Sequence, residues 1–383
     1  MIVACCLFRY FPFGGLSRDF RRIVEELVSQ GHEVRIYVDR WMGKKIDCVK
    51  IIEFRSKSFT NDGLIRNYIR KLKSELSRSA TDVVLGFNKM PGLDFYFVAD
   101  VCFVDKVERE KEGLLKSLYK ITPRYRTLKV CETAVFGSES QTRIMFLDKS
   151  QLVMFNDYYD LNKKIKILLP PGISNTCRRE NYADKARLEF RKKYHLSNSD
   201  KIIVQVGSDF SRKGLDRTLI AFADVQSKIN DSLYLIIVGK DDIKPYSRLI
   251  DRLGIAERIL FLGGVDSAEL CIASSDILIH PAYVENTGTI ILEALALNIP
   301  TVVTENCGFS WYTEESKSGI VVPVPYKQEF LNKALYRLLK EKEFFNKCKL
   351  NAKNYCANKD FYRMPKEVVQ YLEDFVNEKK RLI

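Results

Sequence analysis

The stretch Lys201–Gln226 reads KIIVQVGSDFSRKGLDRTLIAFADVQ. An apolar run over Ile202–Gly207 predicts a buried strand that breaks at glycine. A short loop then carries Ser208, Asp209, Arg212 and Lys213. After Gly214 the apolar residues recur at helical spacing through Gln226, and a second apolar run follows at Tyr234–Gly239. Strand, helix and parallel strand in succession imply a parallel sheet with helices on its faces.

Outward from this unit the rhythm continues. Strands are predicted at Arg258–Gly263, Asp276–Ala282 and Pro300–Thr304. Helices are predicted at about Pro245–Leu253, Ala268–Ser274 and Thr287–Leu297. Pro245 suits the first turn of its helix, where no N–H is needed. The same rhythm runs through the first part of the chain. Met1–Phe8, Glu33–Asp39, Cys48–Phe54 and Asp82–Phe87 read as strands, and Ser17–Gln30 and Asn67–Ser79 as helices, with Ser17 suited to cap the first of them. Leu168-Leu169-Pro170-Pro171-Gly172, after a strand, reads as a junction. The fold class is therefore α/β, with two Rossmann-like doubly wound domains, 1–169 and 170–383, facing across a cleft. The charged helix that begins near Pro365 is expected to pack back toward the first domain. The length of 383 residues suits two cores better than one.

Composition excludes several classes. Apolar residues make up 46% and charged residues 29%, which describes a folded chain and not a disordered one. Three histidines argue against a His-rich metal site. Ten cysteines include no Cys-x-x-Cys pair, so zinc ribbons and thioredoxin-type motifs drop out, and the thiols read as reduced in a cytosol. No apolar run reaches the roughly 20 residues of a membrane span. Met1–Phe8 lacks a preceding basic segment and reads as a first buried strand, not a signal peptide. The excess of 62 Lys+Arg over 49 Asp+Glu, +13, fits plain solubility, an anionic membrane face or a phosphorylated substrate. Nucleic acid would fit the charge as well, but no recognition motif accompanies it.

Ligands of doubly wound sheets bind at the carboxyl ends of strands, and three stretches stand there. Phe11–Asp19 follows the first strand. Its Gly14-Gly15 lets backbone approach a ligand, and a helix start suits an anion, although a plain tight turn would look the same. Gly207–Gly214 places Arg212 and Lys213 where they would hold a diphosphate; a solvated basic loop is the bland alternative. In His280–Ala294, Glu285 lies in a loop, Asn286–Thr289 open a helix, and Glu293 falls in a mostly apolar stretch where a carboxylate is costly unless paired. Glu285 could grip sugar hydroxyls and Glu293 ribose hydroxyls; two surface carboxylates are the alternative.

Glu-x7-Glu after His-Pro, with Gly-Ser-Asp-x-x-Arg-Lys-Gly upstream, resembles the retaining GT-B glycosyltransferases of family 4. Tyr10–Phe20, Gly86–Asp94, Ala99–Cys102 and Leu169–Ile173 are similar to the lipopolysaccharide core glucosyltransferases, from Met1 to about Pro365. The resemblance implies transfer of glucose from UDP-glucose to a heptose of the lipopolysaccharide inner core with retention. It implies that Arg212 and Lys213 neutralise the departing diphosphate, helped by the amides of Gly288, Thr289 and Ile290. Glu285 would orient the donor sugar and Glu293 the ribose. Gly14 and Gly15 would admit the donor, Asp19 and Asp100 would line the sugar and acceptor side, and Arg178 would contact the donor, unless Cys177 holds that position. The favoured route is front-face, the phosphate oxygen taking the acceptor proton. No cofactor and no metal are expected: the chain has no Asp-x-Asp. Asn286-Thr287 stands where the family carries small apolar residues, which makes UDP-sugar a safer expectation than UDP-glucose.

Leu114–Lys129 carries five cations, no acid and interleaved Leu, Ile and Tyr. It is expected to rest on an anionic inner-membrane surface from the cytoplasmic side, an amphipathic core helix being the alternative. Competing functions are transfer of another UDP-sugar to a different cell-surface glycan, a non-catalytic glycan-binding scaffold and a basic nucleic-acid binder. The oligomeric state is not legible.

Overall fold

The computed structural model describes residues 1–12, 14–178, 182–229 and 232–381 and, of residues 178, 182 and 183, the backbone alone. The chain divides into two compact units, Met1–Pro170 with Arg363–Ile383, and Pro171–Tyr362.

The first unit is built on seven parallel strands: β1 (Ile2–Tyr10), β2 (Glu33–Trp41), β3 (Lys50–Glu53), β4 (Val83–Gly86), β5 (Phe95–Phe97), β6 (Arg143–Phe146) and β7 (Lys166–Leu168), in the order β3-β2-β1-β4-β5-β6-β7. β1 is buried on both faces, which is why it reads as an unbroken apolar run. Val3, Cys5 and Leu7 pack with Phe20, Ile23 and Leu27 of the helix Gly15–Ser29 and with Val368 and Leu372 of the helix Met364–Arg381. Ala4 and Cys6 face Tyr68, Leu72 and Phe136 on the other side. Burial pushes the Cys5 thiol up to about 12, so it acts as an apolar side chain. The ten cysteines are free thiols.

The second unit holds six parallel strands: β8 (Lys201–Val206), β9 (Leu233–Val238), β10 (Ile259–Gly263), β11 (Ile277–His280), β12 (Thr301–Thr304) and β13 (Gly319–Val322), in the order β10-β9-β8-β11-β12-β13. The chain winds outward from β8 through β9 to β10, then returns to β8's other side at β11. The strand order reverses between β8 and β11 here, and between β1 and β4 in the first unit. Loops that leave the carboxyl ends of such neighbours border the crevice where these sheets bind ligands.

Several sequence-based expectations change, among them the helix expected at Asn67–Ser79, which spans Asn61–Leu76, and the one expected from Pro245, which starts at Ser247 after a short 3-10 turn. Ser17 does not cap the first helix. That helix starts two residues earlier, with Gly14 at its N-cap and no side-chain cap, and Ser17 is buried in its first turn. The helix expected from Thr287 starts at Thr289, after Gly288 in the left-handed region. The final helix contributes core to the first unit, so the second unit stops at Tyr362.

Candidate functional site

The loop after β8 is held from several sides. Gly207 leaves the strand at φ 138°. The Phe210 N–H donates to Asp241 at 2.7 Å, and the Lys240 N–H to Ser208 Oγ at 3.1 Å, so the loop is fastened to the one after β9. Asp209 takes a left-handed φ of 66°, and its carboxylate accepts from Arg212 Nε at 2.8 Å. Gly214 caps the next helix at φ 70°. A Cβ there would lie 2.2 Å from the Pro281 carbonyl oxygen, so glycine is required by both backbone conformation and space. Buried Gln205 donates to the Lys213 carbonyl at 3.1 Å.

The loop after β11 meets this one. Arg217 is sandwiched between the rings of Tyr283 and Tyr326, its guanidinium carbon 3.5 and 3.7 Å from their centroids, and donates to the Pro281 carbonyl at 3.2 Å. Tyr283 donates its hydroxyl to Asp216 at 2.7 Å. The next residues clasp the loop after β12. The Glu285 N–H donates to the Asn306 carbonyl at 3.1 Å, the Gly308 N–H to the Glu285 carbonyl at 3.1 Å, and the Phe309 N–H to the Thr287 carbonyl at 2.7 Å. A Cβ on Gly308 would fall 2.0 Å from the Asn286 carbonyl oxygen, so the clasp needs glycine.

Between the two loops the charged side chains converge on one oxygen. The Lys213 ammonium contacts Glu285 Oε2, Arg212 Nη1 lies 3.4 Å from it, and His280 Nε2 lies 3.5 Å from it. Lys213 and Glu285 are 12% and 10% exposed, so water screens their attraction poorly. His280 is fully buried at the end of β11. Burial first, then the Lys213 and Arg212 charges, hold its imidazole well below the usual histidine range and therefore neutral. Two cations are thus held in place by Asp209 and Glu285 over a neutral floor. An anion with several oxygens is the ligand best able to compete with those two carboxylates for Arg212 and Lys213.

Gly288 sits against Glu285, whose Cγ is 3.3 Å from where a Gly288 Cβ would be, and opens the helix Thr289–Ala296. Thr289 and Ile290 form its first turn, where amides have no intrahelical partner. Glu293 is one turn further on and fully buried. Gly14, Gly15, Asp19 and Asp100 belong to the other unit. Gly15 has open space where a Cβ would stand. Asp19 is buried and accepts from Arg22 Nη1 at 3.2 Å, while Asp100 is exposed in the loop after β5. The Arg178 side chain lies outside the described residues, and Cys177 is buried. Sequence reasoning missed the Arg217 sandwich and the Asn306–Phe309 clasp. The glycine after Asn306-Cys307 was the one visible hint of the clasp. Among the described residues no group of three or more His, Cys, Asp or Glu side chains could hold a metal ion.

Residues 186–355 match the model of the glycosyl transferases group 1. Over 372 residues, 97% of this chain and 98% of that protein, the sequence is 36% identical to the lipopolysaccharide glucosyltransferase WaaG of Escherichia coli (strain K12). The chain belongs to this glycosyltransferase family. A crystal structure of WaaG, a glycosyltransferase involved in lipopolysaccharide biosynthesis, superposes with a TM-score of 0.91 at 34% identity, over 97% of this chain and 99% of that one. Sucrose-phosphate synthase from Thermosynechococcus elongatus shares the fold, with a TM-score of 0.78 at 14% identity, over 99% and 100% of the two chains. The two-domain α/β architecture is therefore that of the GT-B glycosyltransferases.

Proposed function

We propose that the protein transfers a hexose, glucose first among the candidates, from a UDP-sugar to a heptose of the lipopolysaccharide inner core. The convergence of Arg212 and Lys213 on Glu285 at the β8–β11 reversal carries this reading, and the full-length similarity to WaaG directs it to this acceptor. The donor diphosphate would draw Arg212 and Lys213 from the carboxylates and be neutralised by them as it departs. Glu285, released from Lys213, would turn to the donor sugar, with the Gly288–Ile290 amides on the phosphates and Glu293 on the ribose. Gly14 and Gly15 would admit the donor, Arg178 would add a contact to it, and Asp19 and Asp100 would serve the acceptor side. In the front-face route the bond from the anomeric carbon to the phosphate oxygen breaks and one to the acceptor hydroxyl forms on the same face. The hydroxyl proton passes to the departing oxygen, so no metal ion or separate base is required. Asn286 and Thr287, beside Glu285, would set the choice of sugar.

The test is turnover of a panel of UDP-sugars with heptose-terminated core lipopolysaccharide, with and without EDTA, read by UDP release and acceptor mass. One donor adding a hexose mass, unaffected by EDTA, is expected. Tight UDP binding without transfer would discard the acceptor and keep the donor site. Glu285→Ala is expected to lower transfer about 100-fold or more with UDP affinity kept or raised, because Lys213 loses its internal partner. An equal collapse of UDP affinity would show that Glu285 holds the nucleotide side instead.

We also propose that the enzyme works from the cytoplasmic face of the inner membrane. Among the described residues no helix is long and apolar enough to cross a membrane. Leu114–Lys129 covers the helix Gly113–Lys120 and the start of Pro123–Phe136. Leu114, Leu115, Leu118 and Ile121 are 76, 73, 50 and 60% exposed. Glu108 pairs with Lys116 and Lys120, while Arg124 and Arg126 are exposed beside this apolar surface. Such a surface suits an anionic headgroup layer. Leu114→Ser with Leu115→Ser is expected to abolish co-flotation with anionic vesicles while leaving UDP binding intact. Undiminished flotation would refute this surface.

A further inference from the structure

Arginines line up across the carboxyl edge of the first unit. β1 and β2 run parallel with Arg9 in register with Arg40. One strand further on, the Arg55 N–H donates to the Asp39 carbonyl at 2.9 Å, which places Arg55 next to Arg40. All three are exposed. Arg55 is neutralised by Glu53, with Nη2–Oε2 at 2.8 Å. Arg9 and Arg40 form no ion pair among the described residues; Arg9 lies over the Phe8 ring at 5.1 Å. Lys44 and Lys45 follow in the loop after β2, and Lys45 is near enough to Glu53 to help hold that carboxyl below its usual range, after Arg55 and the Trp41 N–H. Of the acids in this stretch, Asp39 is buried behind the row and Asp47 is exposed in the loop.

Like charges in register on neighbouring strands destabilise a sheet. A fold that places two unpaired arginines there gains from an anion between them, because guanidinium forks bind phosphate and carboxylate in bidentate fashion. The row adjoins the glycine loop. The Met42 N–H donates to the Tyr10 carbonyl at 3.0 Å, and the Pro12 ring is 3.1 Å from where a Gly43 Cβ would stand. It is therefore at the carboxyl edge of its sheet, next to Tyr10–Pro12, the stretch that leads to Gly14 and Gly15.

We propose that Arg9 and Arg40 bind an anionic group, phosphate or carboxylate, carried by the acceptor glycan, and so select charged acceptors over neutral ones. This rests on the lipopolysaccharide-acceptor reading above. The test uses the double variant Arg9→Gln/Arg40→Gln and delipidated core oligosaccharide, which removes any lipid surface. Binding is followed by calorimetry with UDP saturating the donor site, and transfer is followed in parallel. The pair is expected to be worth about tenfold or more in oligosaccharide affinity and in acceptor KM, with kcat at saturating acceptor and UDP affinity unchanged. Arg55→Gln, whose charge Glu53 already answers, is expected to change little. Dephosphorylated and carboxyl-reduced oligosaccharides identify the anion: the wild type should fall to the level of the double variant on one of them. Equal affinity of both proteins for native oligosaccharide overturns the proposal. So does an unchanged tenfold gap on both stripped acceptors, or a gap seen with anionic vesicles and not with oligosaccharide. A wild type that binds the oligosaccharide through these arginines yet transfers nothing to it would instead fault the functional reading.

Discussion

Lys213→Ala is expected to lower kcat by about 10²–10³-fold, the usual cost of removing one preorganised group that meets developing charge. Lys213 is almost enclosed, with its ammonium on Glu285 and its carbonyl held by Gln205. The loop around it is fixed by Asp209, Gly214 and the bonds to Asp241, none of which passes through the ammonium. The truncated protein should therefore keep the loop in place, with Arg212 still 3.4 Å from Glu285. Single-turnover kinetics with a UDP-sugar, set beside the thermal melting temperature, decide the matter. Wild-type kcat at an unchanged melting temperature would mean that Arg212 and the helix amides carry the diphosphate alone.

Gly214→Ala should be as damaging for a different reason. The residue sits at φ 70°, and the added Cβ would meet the Pro281 carbonyl oxygen at 2.2 Å. A left-handed conformation costs a non-glycine residue about 1–3 kcal/mol, and the overlap with backbone adds to it because neither loop has slack. The melting temperature should fall by several degrees, and transfer should fall about 100-fold or more as Arg212 and Lys213 part from the β11 loop. Calorimetry with UDP separates the two effects. A variant that melts like the wild type and binds UDP with full affinity would show that the two loops are not locked together.

Much of this was legible in the chain. The long strands β1 and β9 announce themselves because both faces are mostly apolar, and β2 and β8 because each holds an apolar row, Val34, Ile36 and Val38 in one and Ile202, Val204 and Val206 in the other. The Arg212-Lys213-Gly214 and Glu285 stretches stand out in the sequence because each follows an apolar strand, β8 in one case and β11 in the other. β5, β6 and β13, of three or four residues each, are not read from the sequence. Ser17 misled because a hydroxyl is a strong capping preference, yet two glycines upstream let the helix begin without one. The clasp from Glu285 to Gly308 left little trace because it is made of backbone bonds across more than twenty residues of chain. The burial of His280 was equally hidden: a histidine before proline reads alike in a core and on a surface.

The helix Met364–Arg381 lays Met364, Val368, Val369 and Leu372 on a sheet whose last strand ends at Leu168. About 200 residues separate them, and they form the whole of the second unit. On the ribosome, at about 5–20 residues per second, the sheet would wait about 10–40 s with that apolar face uncovered, while the unit made later is contiguous and free to close. The domain translated first is thus the domain finished last, and nascent-chain chaperones would find their client in its half-covered sheet.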